Sequence, residues 1–413
     1  MQRFQRGLGI LLVAALAACP LISAQPTPAE AEKVAEQVLE RAILIDTHAD
    51  TPQMMLDEGY DLADPNSPFM ISIPKMRAGH LGAVFFSIWV DVDWPKQALI
   101  HRALDLIDVV DEQVARHSDA LRLATTADDV VGLHRQGKIA ILLGLEGGYQ
   151  IENDLRALDI FHRLGVRYMT LTHMANTDWA DSSGASPRWN GLTDFGRQVI
   201  WRMNRLGMMV DISHVSDKTF YDTLAVTRAP VIASHSSCRA LANVRRNMTD
   251  DMIRALAKNG GVMQINFYSG FLDAEYAAAY REIAKQMHAE EKAAHKQFGN
   301  DRKRLAEELR KISARYEEQL PRPSYTRIAD HIDHAVKAGG VDYVGLGSDF
   351  DGISSTPRGM EDVSKLPNLV RELARRGYGE EELEKILGGN LLRVMRRVEE
   401  VARQIQARKD GQP

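Results

Sequence analysis

The sequence predicts an α/β fold in which eight parallel strands and their helices close into a (β/α)8 barrel. Eight short runs are apolar at consecutive positions, a pattern typical of parallel strands that are buried on both faces. Segments with room for a helix separate most of these runs. A doubly wound sheet usually has a glycine-rich phosphate loop after its first strand, whereas this chain has "DTHADTP" there. The predicted strands are residues 43–50, 83–90, 139–148, 166–173, 207–214, 230–236, 260–267 and 343–350.

The composition favours one large globular domain over residues 36–405. The chain has 413 residues, and 45% of them are hydrophobic, which is enough for a substantial core. The formal net charge is −5, with acidic and basic residues interspersed. Because nucleic-acid binding requires a concentrated basic surface, we expect no nucleic-acid partner.

The first residues have the features of an export signal. Two arginines precede the apolar run "LGILLVAALAAC", which is too short to span a bilayer comfortably, so residues 1–18 are predicted to be a signal peptide. The stretch "LAAC" favours a lipoprotein signal that leaves Cys19 lipidated, and cleavage after Ala24 is the alternative. We therefore expect an exported bacterial protein, periplasmic or anchored to the membrane, with residues 19–35 as a tether. The only other cysteine is Cys238, so no intramolecular disulfide is expected.

Residues 271–322 interrupt the simple alternation of strands and helices. The segment is rich in Ala, Glu, Lys and Arg and has no proline before Pro321, which predicts a helical insertion between the last two of the eight strands. It is interpreted as a solvated helical hairpin on the barrel rim, or alternatively as a lid or a dimer-contact arm.

Histidines and carboxylates occur where six of the predicted strands end. The carboxyl ends of barrel strands form the active face, so these residues are expected to meet at one mouth. Any one of them alone could be a turn residue or a structural hydrogen-bonding group, but their joint occurrence favours a common site. The residues are His48, Asp50, Glu146, His173, His214, His235 and Asp349.

The chemistry of these residues indicates a site for two metal ions. His48 and Asp50 stand at positions i and i+2 and therefore point to the same side of an extended strand. Imidazole nitrogens and carboxylate oxygens are good zinc ligands, and Glu146 has two oxygens with which to bridge two ions. Two ions about 3.5–4 Å apart can hold a hydroxide and polarise a carbonyl. The residues alone suggest Asp349 as a further ligand.

Other polar residues allow more than one interpretation. Arg246, in "RRNMTDD" after the sixth predicted strand, could clamp a substrate carboxylate or belong to a surface pair with Arg245. His331 and His334 lie in a predicted helix, where packing or polarity at the rim is expected. Seven further histidines are expected to be solvated: His80, His101, His117, His134, His162, His288 and His295.

Several short motifs together resemble the membrane (renal) dipeptidase family of the amidohydrolase superfamily. They are "DTHAD", "LEGG", "YMTLTH" with "NTDWAD", "VDISHVS", "PVIASHSS", "RRNMTDD" and "GSDFDG", and they extend from about residue 43 to residue 395. The resemblance implies a zinc-dependent metallopeptidase with two Zn²⁺ ions in a (β/α)8 barrel. By this resemblance, His48 and Asp50 would bind one zinc, His214 and His235 the other, and Glu146 would bridge both.

The resemblance also implies roles for three residues that contact substrate. His173 would stabilise the oxyanion of the tetrahedral intermediate, and Arg246 would bind the C-terminal carboxylate of a dipeptide. Asp349 would carry the proton from the attacking, metal-bridging hydroxide to the leaving amine. The expected substrates are dipeptides, including those with a C-terminal D-amino acid, and the expected assembly is a homodimer. The alternatives are an amidohydrolase for another small amide, lactam or N-acyl amino acid, and a surface lipoprotein without catalytic activity.

Overall fold

The structure, a computed structural model, describes residues 26–95, 98–299 and 301–408. Its sheet has the order β1-β2-β4-β5-β6-β7-β8-β9, all parallel, and β3 pairs with β4 outside this path. The two end strands meet where the Asp50 amide donates to the Phe350 carbonyl at 2.9 Å and the Asp349 amide donates to the His48 carbonyl at 3.0 Å. The predicted barrel is therefore confirmed. The strands are β1 (Leu44–Ala49), β2 (Leu81–Trp89), β3 (Leu121–Leu123), β4 (Ile139–Glu146), β5 (Val166–Thr170), β6 (Met209–Asp211), β7 (Ile232–Ser236), β8 (Val262–Ile265) and β9 (Val344–Leu346).

Helices connect the strands and surround the barrel. Several begin at a threonine whose hydroxyl accepts a backbone N–H of the first turn, as Thr126, Thr193 and Thr249 do. The helices are α1 (Pro28–Arg41), α2 (Pro52–Glu58), α3 (Ile73–Ala78), α4 (Leu99–Arg116), α5 (Ala127–Arg135), α6 (Leu155–Arg163), α7 (Asp194–Leu206), α8 (Asp217–Val226), α9 (Asp250–Asn259), α10 (Ser269–Leu272), α11 (Ala274–Phe298), α12 (Arg302–Glu317), α13 (Thr326–Gly339), α14 (Leu366–Arg375), α15 (Glu380–Glu384) and α16 (Asn390–Ala407).

The strands bury both of their faces, which accounts for their continuous apolar sequences. In β2, Val84, Phe86 and Ile88 pack into one apolar cluster, while Ala83 and Phe85 pack into a second. The second cluster is completed by α16, through side chains that include Leu391, Val394 and Val398. Alternate residues of one strand thus face two different apolar environments, as expected for a parallel strand covered by helices.

The chain enters the folded body earlier than the sequence predicted. Residues 19–35 were expected to be a tether, but α1 begins at Pro28, with Thr27 and Glu30 forming a capping box. Ala31, Ala35 and Val38 of α1 are buried, and α1 packs against α14. The predicted signal peptide and Cys19 lie outside the described residues. Within the described part, no helix is both long and apolar enough to span a membrane.

The predicted insertion, residues 271–322, contains a helical hairpin, here called the arm and defined as α11 and α12. The two helices share a small apolar core formed by Met287, Ala294, Ile312 and Tyr316. Arg310 of α12 makes a bidentate ion pair with Glu58 of α2, at 2.5 and 2.7 Å. The arm is thus docked on the helix that follows β1, next to the mouth of the barrel.

Candidate metal centre and active site

All seven strand-end residues meet at one mouth of the barrel. Their side chains offer three overlapping sets of possible metal ligands within 4.8 Å: His48, Glu146 and His235; Glu146, His173 and His214; and His48, Asp50 and Asp349. His48, Glu146 and His235 lie within strands. Asp50 follows β1 directly, whereas His173, His214 and Asp349 stand three positions after the last residue of their strands. The predicted strands were therefore too long at these four positions, because the chain leaves the sheet as it reaches the mouth.

Glu146 lies at the centre of the cluster, with its two oxygens facing different nitrogens. Its Oε2 is 3.3 Å from Nε2 of His48, while its Oε1 is 3.1 Å from Nε2 of His214 and 3.3 Å from Nε2 of His235. Burial opposes the charged carboxylate, but the imidazoles of His48 and His173 lower the pKa of Glu146 well below its ordinary value. Glu146 is therefore an anion that can bridge two cations.

Tyr168 orients His48 for metal binding. The Tyr168 hydroxyl donates to the Thr47 carbonyl at 3.1 Å, so it accepts the Nδ1–H of His48 at 2.8 Å. Burial opposes a charged imidazole, but Tyr168, Glu146 and Asp50 raise the pKa of His48 well above its ordinary value. Its buried Nε2 has no hydrogen-bond partner among the described residues, and it would offer a lone pair once a metal ion displaces its proton. It lies 3.4 Å from Oδ2 of Asp50. The tyrosine ring requires Gly144, because a Cβ there would lie 2.0 Å from it.

A buried hydroxyl and carboxylate orient His235 in the same way. Nδ1 of His235 is 2.7 Å from the Ser234 hydroxyl, which donates to Asp211 at 2.6 Å. Nε2 of His235 therefore presents a lone pair, and it lies 2.8 Å from Nε2 of His214. Burial lowers the pKa of both imidazoles well below the ordinary value, which keeps them neutral. Two neutral imidazoles whose Nε2 atoms lie 2.8 Å apart beside a carboxylate fit a transition-metal ion such as zinc, which would take the place of the proton they share.

The backbone at His214 adopts a conformation that few residues other than glycine adopt. Its φ is 63°, in the left-handed region. The Ser183 amide and the Thr172 hydroxyl hold its carbonyl, at 2.8 and 3.0 Å. Surrounding hydrogen bonds therefore impose this geometry, as is common at functional sites.

His173 differs from the other histidines because an indole fixes its proton. The Trp89 indole N–H donates to Nδ1 of His173 at 3.2 Å. A neutral imidazole that accepts at Nδ1 carries its proton on Nε2, and that atom is 3.9 Å from Oε1 of Glu146. Burial lowers the pKa of His173, which favours the neutral form. His173 therefore points an N–H donor into the cavity.

Asp349 lies on the His48 side of the cluster. Its Oδ2 accepts from the Asn266 amide at 2.8 Å, while its Oδ1 is 3.9 Å from Nε2 of His48. Burial and the carboxylates of Asp50 and Glu146 raise the pKa of Asp349 well above its ordinary value, although His48 opposes this shift. A carboxyl group with a raised pKa can hold and release a proton near neutral pH.

Arg246 contacts two residues of β7, His235 and Ser236. Its guanidinium donates to the Ser236 hydroxyl at 2.7 Å and to the His235 carbonyl at 2.5 Å. The residue is 9% exposed, and within the described residues no carboxylate lies within ion-pair distance of it. Burial lowers the pKa of Arg246 to about 10, so the side chain stays charged. Burying an unpaired cation is costly, so the position is suited to an anionic ligand.

Four supporting residues were not identified from the sequence: Asp46, Trp89, Tyr168 and Asp211. Asp46 accepts the amides of His48 and Ser348 at 3.2 and 2.8 Å, and Asp211 accepts those of Ser213 and Ser234 at 3.0 and 2.9 Å. The available signal was a carboxylate inside an otherwise apolar strand, as in "LIDTH" and "MVDISH". For Trp89 and Tyr168 the sequence carried no comparable signal.

The histidines assigned outside the site do lie outside it. His331 is fully buried and accepts the Cys238 amide at Nδ1, so the expected packing role is confirmed. His117, His134 and His162 are half-buried rather than solvated. Burial lowers the pKa of His162 to about 4.

The ligand cluster forms the floor of a cavity of about 530 Å³, a size typical of small-molecule sites. Trp89, Met174, Tyr268 and Phe271 form apolar walls, and part of the outer wall comes from the arm. A small peptide can therefore reach the cluster.

Comparison with known proteins agrees with this geometry. The sequence profile of the membrane dipeptidase family (peptidase family M19) matches residues 32–409. An uncharacterised dipeptidase of Schizosaccharomyces pombe is 36% identical over 393 residues, which cover 90% of this chain and 84% of that protein.

Solved structures with similar folds include two bacterial proteins. The crystal structure of the probable dipeptidase PvdM from Pseudomonas aeruginosa has a TM-score of 0.77 and 27% identity, and the match covers 91% of this chain and all of that one. A metallopeptidase from Rhodobacter sphaeroides, liganded with a phosphinate mimic of the dipeptide L-Ala-D-Ala, has a TM-score of 0.70 and 24% identity over 87% of this chain and all of that one. The chain therefore belongs to the membrane dipeptidase family and is a metallopeptidase of the dipeptidase type.

Proposed function

We propose that the protein is a binuclear zinc dipeptidase that also accepts dipeptides with a C-terminal D-amino acid. The observation that carries the proposal is the placement of the two carboxylate oxygens of Glu146. Its Oε2 faces His48, and its Oε1 faces His214 and His235. One carboxylate between two sets of nitrogens suits two ions rather than one. The D-amino acid part draws support from the related Rhodobacter protein, which binds a mimic of L-Ala-D-Ala.

The ligands of the two ions would be His48, Asp50 and Glu146 on one side and Glu146, His214 and His235 on the other. When bound, two zinc ions would make a water nucleophilic near neutral pH and polarise the peptide carbonyl. The protein's own contribution is the orientation of His48 by Tyr168 and of His235 by Ser234 and Asp211.

Three side chains would act on the substrate directly. The Nε2–H of His173 donates to the carbonyl oxygen as negative charge develops on it. Asp349 takes the proton of the attacking water and delivers it to the leaving amine. Arg246 binds the C-terminal carboxylate, and its Nε–H, which has no partner among the described residues, is one available donor. This clamp explains a preference for dipeptides over longer chains.

Two measurements test the proposal. Purified protein loaded with zinc should contain two ions per chain, and His235→Ala should lose one of them while the fold is retained, as judged by circular dichroism. The wild type should hydrolyse L,L and L,D dipeptides, and a chelator should abolish this activity. Fewer than about one zinc per chain after careful loading contradicts the binuclear site.

Arg246→Ala separates the proposed dipeptidase from an amidohydrolase for other small amides. If Arg246 binds the substrate carboxylate, the variant loses activity on dipeptides. Its activity on uncharged analogues of the same dipeptides stays close to the wild-type value. Retained dipeptide activity in Arg246→Ala contradicts the clamp.

We further propose that the protein is exported as a lipoprotein modified at Cys19 and that it forms a homodimer. The lipid at Cys19 is proposed from the sequence "LAAC" and the dimer from the family alone. Mass spectrometry of the mature N-terminus tests the lipid, since an unmodified chain that starts at Gln25 contradicts it. Light scattering after gel filtration tests the dimer.

A further inference from the structure

The outer wall of the site cavity is built partly by the arm. Tyr280, Met287 and Glu291 of α11 line the cavity, and their spacing places them on one face of the helix. Tyr268 and Phe271, from the segment that leads into the arm, line it as well. The arm therefore contributes to the surface that a substrate side chain contacts.

Interactions at both helices hold the arm in a defined position. Arg310 pairs with Glu58, and the Arg302 guanidinium stacks over the Trp94 ring at 3.9 Å from its centroid. Near the base of the arm, Glu317 accepts hydrogen bonds from Tyr276 at 2.5 Å and from Ser354 at 3.0 Å. The side chains of α11 that face the cavity thus have a fixed place relative to the ligand cluster.

Glu291 provides an uncompensated negative charge in the cavity. Beyond the strand-end cluster, the charged residues of the lining are Asp57, Asp351 and Glu291, with no lysine or arginine among the described lining residues. Asp57 is paired with Arg102 at 2.6 Å. Asp351 accepts the Thr51 hydroxyl and the Met70 amide, both at 2.7 Å. Glu291 is half-buried, and within the described residues its side chain makes neither an ion pair nor a hydrogen bond.

We propose that Glu291 makes the enzyme select dipeptides that carry a cationic side chain, lysyl or arginyl. This inference rests on the proposed dipeptidase function. A lysine or arginine side chain has an apolar stem and a charged tip, which match Met287 and the tyrosine rings followed by a carboxylate. The α-ammonium of a dipeptide is only two bonds from the scissile carbonyl, so it lies near the strand-end cluster. The arm forms part of the outer wall of the same cavity, so a long substrate side chain that extends away from the cluster would meet it.

Paired substrates isolate the effect of the charge. We suggest measuring kcat/KM for Lys-Ala and Ala-Lys against norleucyl-Ala and Ala-norleucine, since norleucine keeps the stem of lysine without its charge. The wild type should prefer one lysyl dipeptide over its norleucyl partner, and Glu291→Gln should reduce that ratio by roughly five- to tenfold. Glu282→Gln is the matched control, because Glu282 lies on the same helix, is exposed and does not line the cavity.

A charge reversal provides a second, independent readout. Glu291→Lys should invert the lysyl preference and increase the ratio of glutamyl over glutaminyl dipeptide hydrolysis. An unchanged lysyl to norleucyl ratio in Glu291→Gln overturns the inference, and so does an equal loss on all four substrates, which would indicate an α-ammonium site. A wild type that cleaves norleucyl dipeptides without a lysyl preference overturns the inference alone. A zinc-loaded wild type that cleaves no dipeptide overturns the proposed function as well.

Discussion

The ligand cluster and the arm face the same cavity, but different interactions hold them in place. His48 and His235 are fully buried, and Glu146 is 3% exposed. Hydrogen bonds that the two imidazoles donate to the hydroxyls of Tyr168 and Ser234 fix their orientation. The arm has a small apolar core and depends on ion pairs at its surface, where Arg310 and Arg302 are both more than 40% exposed.

This difference separates the chemical reaction from the choice of substrate. A buried hydrogen-bonded network tolerates little change, because any lost partner leaves a desolvated polar group. Exposed ion pairs each contribute at most about 1 kcal/mol, so the arm can change its sequence with little cost to the barrel. We therefore expect mutations in the cluster to affect metal content and kcat, and mutations in the arm to affect selectivity.

The largest effect is expected for Asp349→Asn. An amide cannot carry the proton to the leaving amine, so kcat should fall by about 10²–10⁴-fold. The zinc content, measured by elemental analysis, should remain at the wild-type value. A loss of zinc would instead identify Asp349 as a ligand, which its place beside His48 and Asp50 also allows.

His173→Ala should lower kcat by about 10²–10³-fold, since it removes one donor to the developing oxyanion. The zinc content should again stay unchanged, because Trp89 holds the proton of His173 on the nitrogen that faces the cavity. If the variant loses zinc, His173 is itself a metal ligand and belongs to the same ligand set as His214.

Tyr168→Phe should weaken zinc binding by about 10–100-fold, because it frees the Nδ1–H of His48. Competition with a chelator measures this affinity. Tyr60→Phe is the control, since it also removes a buried hydroxyl bonded to a backbone carbonyl, that of Ile71, but away from the cluster. Equal affinities in the two variants would contradict an orienting role for Tyr168.

The smallest effect is expected for Arg310→Gln, which breaks the ion pair with Glu58. The free energy of unfolding should fall by less than about 1 kcal/mol, as measured by urea denaturation. Zinc content should not change, while KM for lysyl dipeptides should rise because the arm, which carries Glu291, loses the ion pair that anchors α12. A variant that loses zinc would show that the arm and the cluster are not independent.

Much of the site was predictable because its residues stand at the ends of apolar strands. His48, Glu146 and His235 could be identified from position and residue type, since strand ends in a barrel converge. β3 was missed because it has three residues, of which only Leu121 is buried, and it pairs only with β4. The predicted tether was too long because α1 has few buried apolar residues and directly follows a polar stretch that contains prolines.

The supporting residues were not predictable, because their partners are distant in sequence. Tyr168 contacts His48 across 120 residues, and Trp89 contacts His173 across 84 residues. Such pairs form only when the barrel closes. A tyrosine or a tryptophan in an apolar strand is, from the sequence alone, equally consistent with a packing role in the core.

The sequence by itself determined eight of the nine strands, the residues at their ends and the donor types that favour zinc, because burial and ligand chemistry depend on residue type and spacing. Only the tertiary structure decided which oxygen of Glu146 faces which histidine, which nitrogen of His173 carries a proton, and that Glu291 of the arm faces the cavity. These features depend on the orientation of side chains brought together across the whole chain, and local sequence carries no information about that orientation.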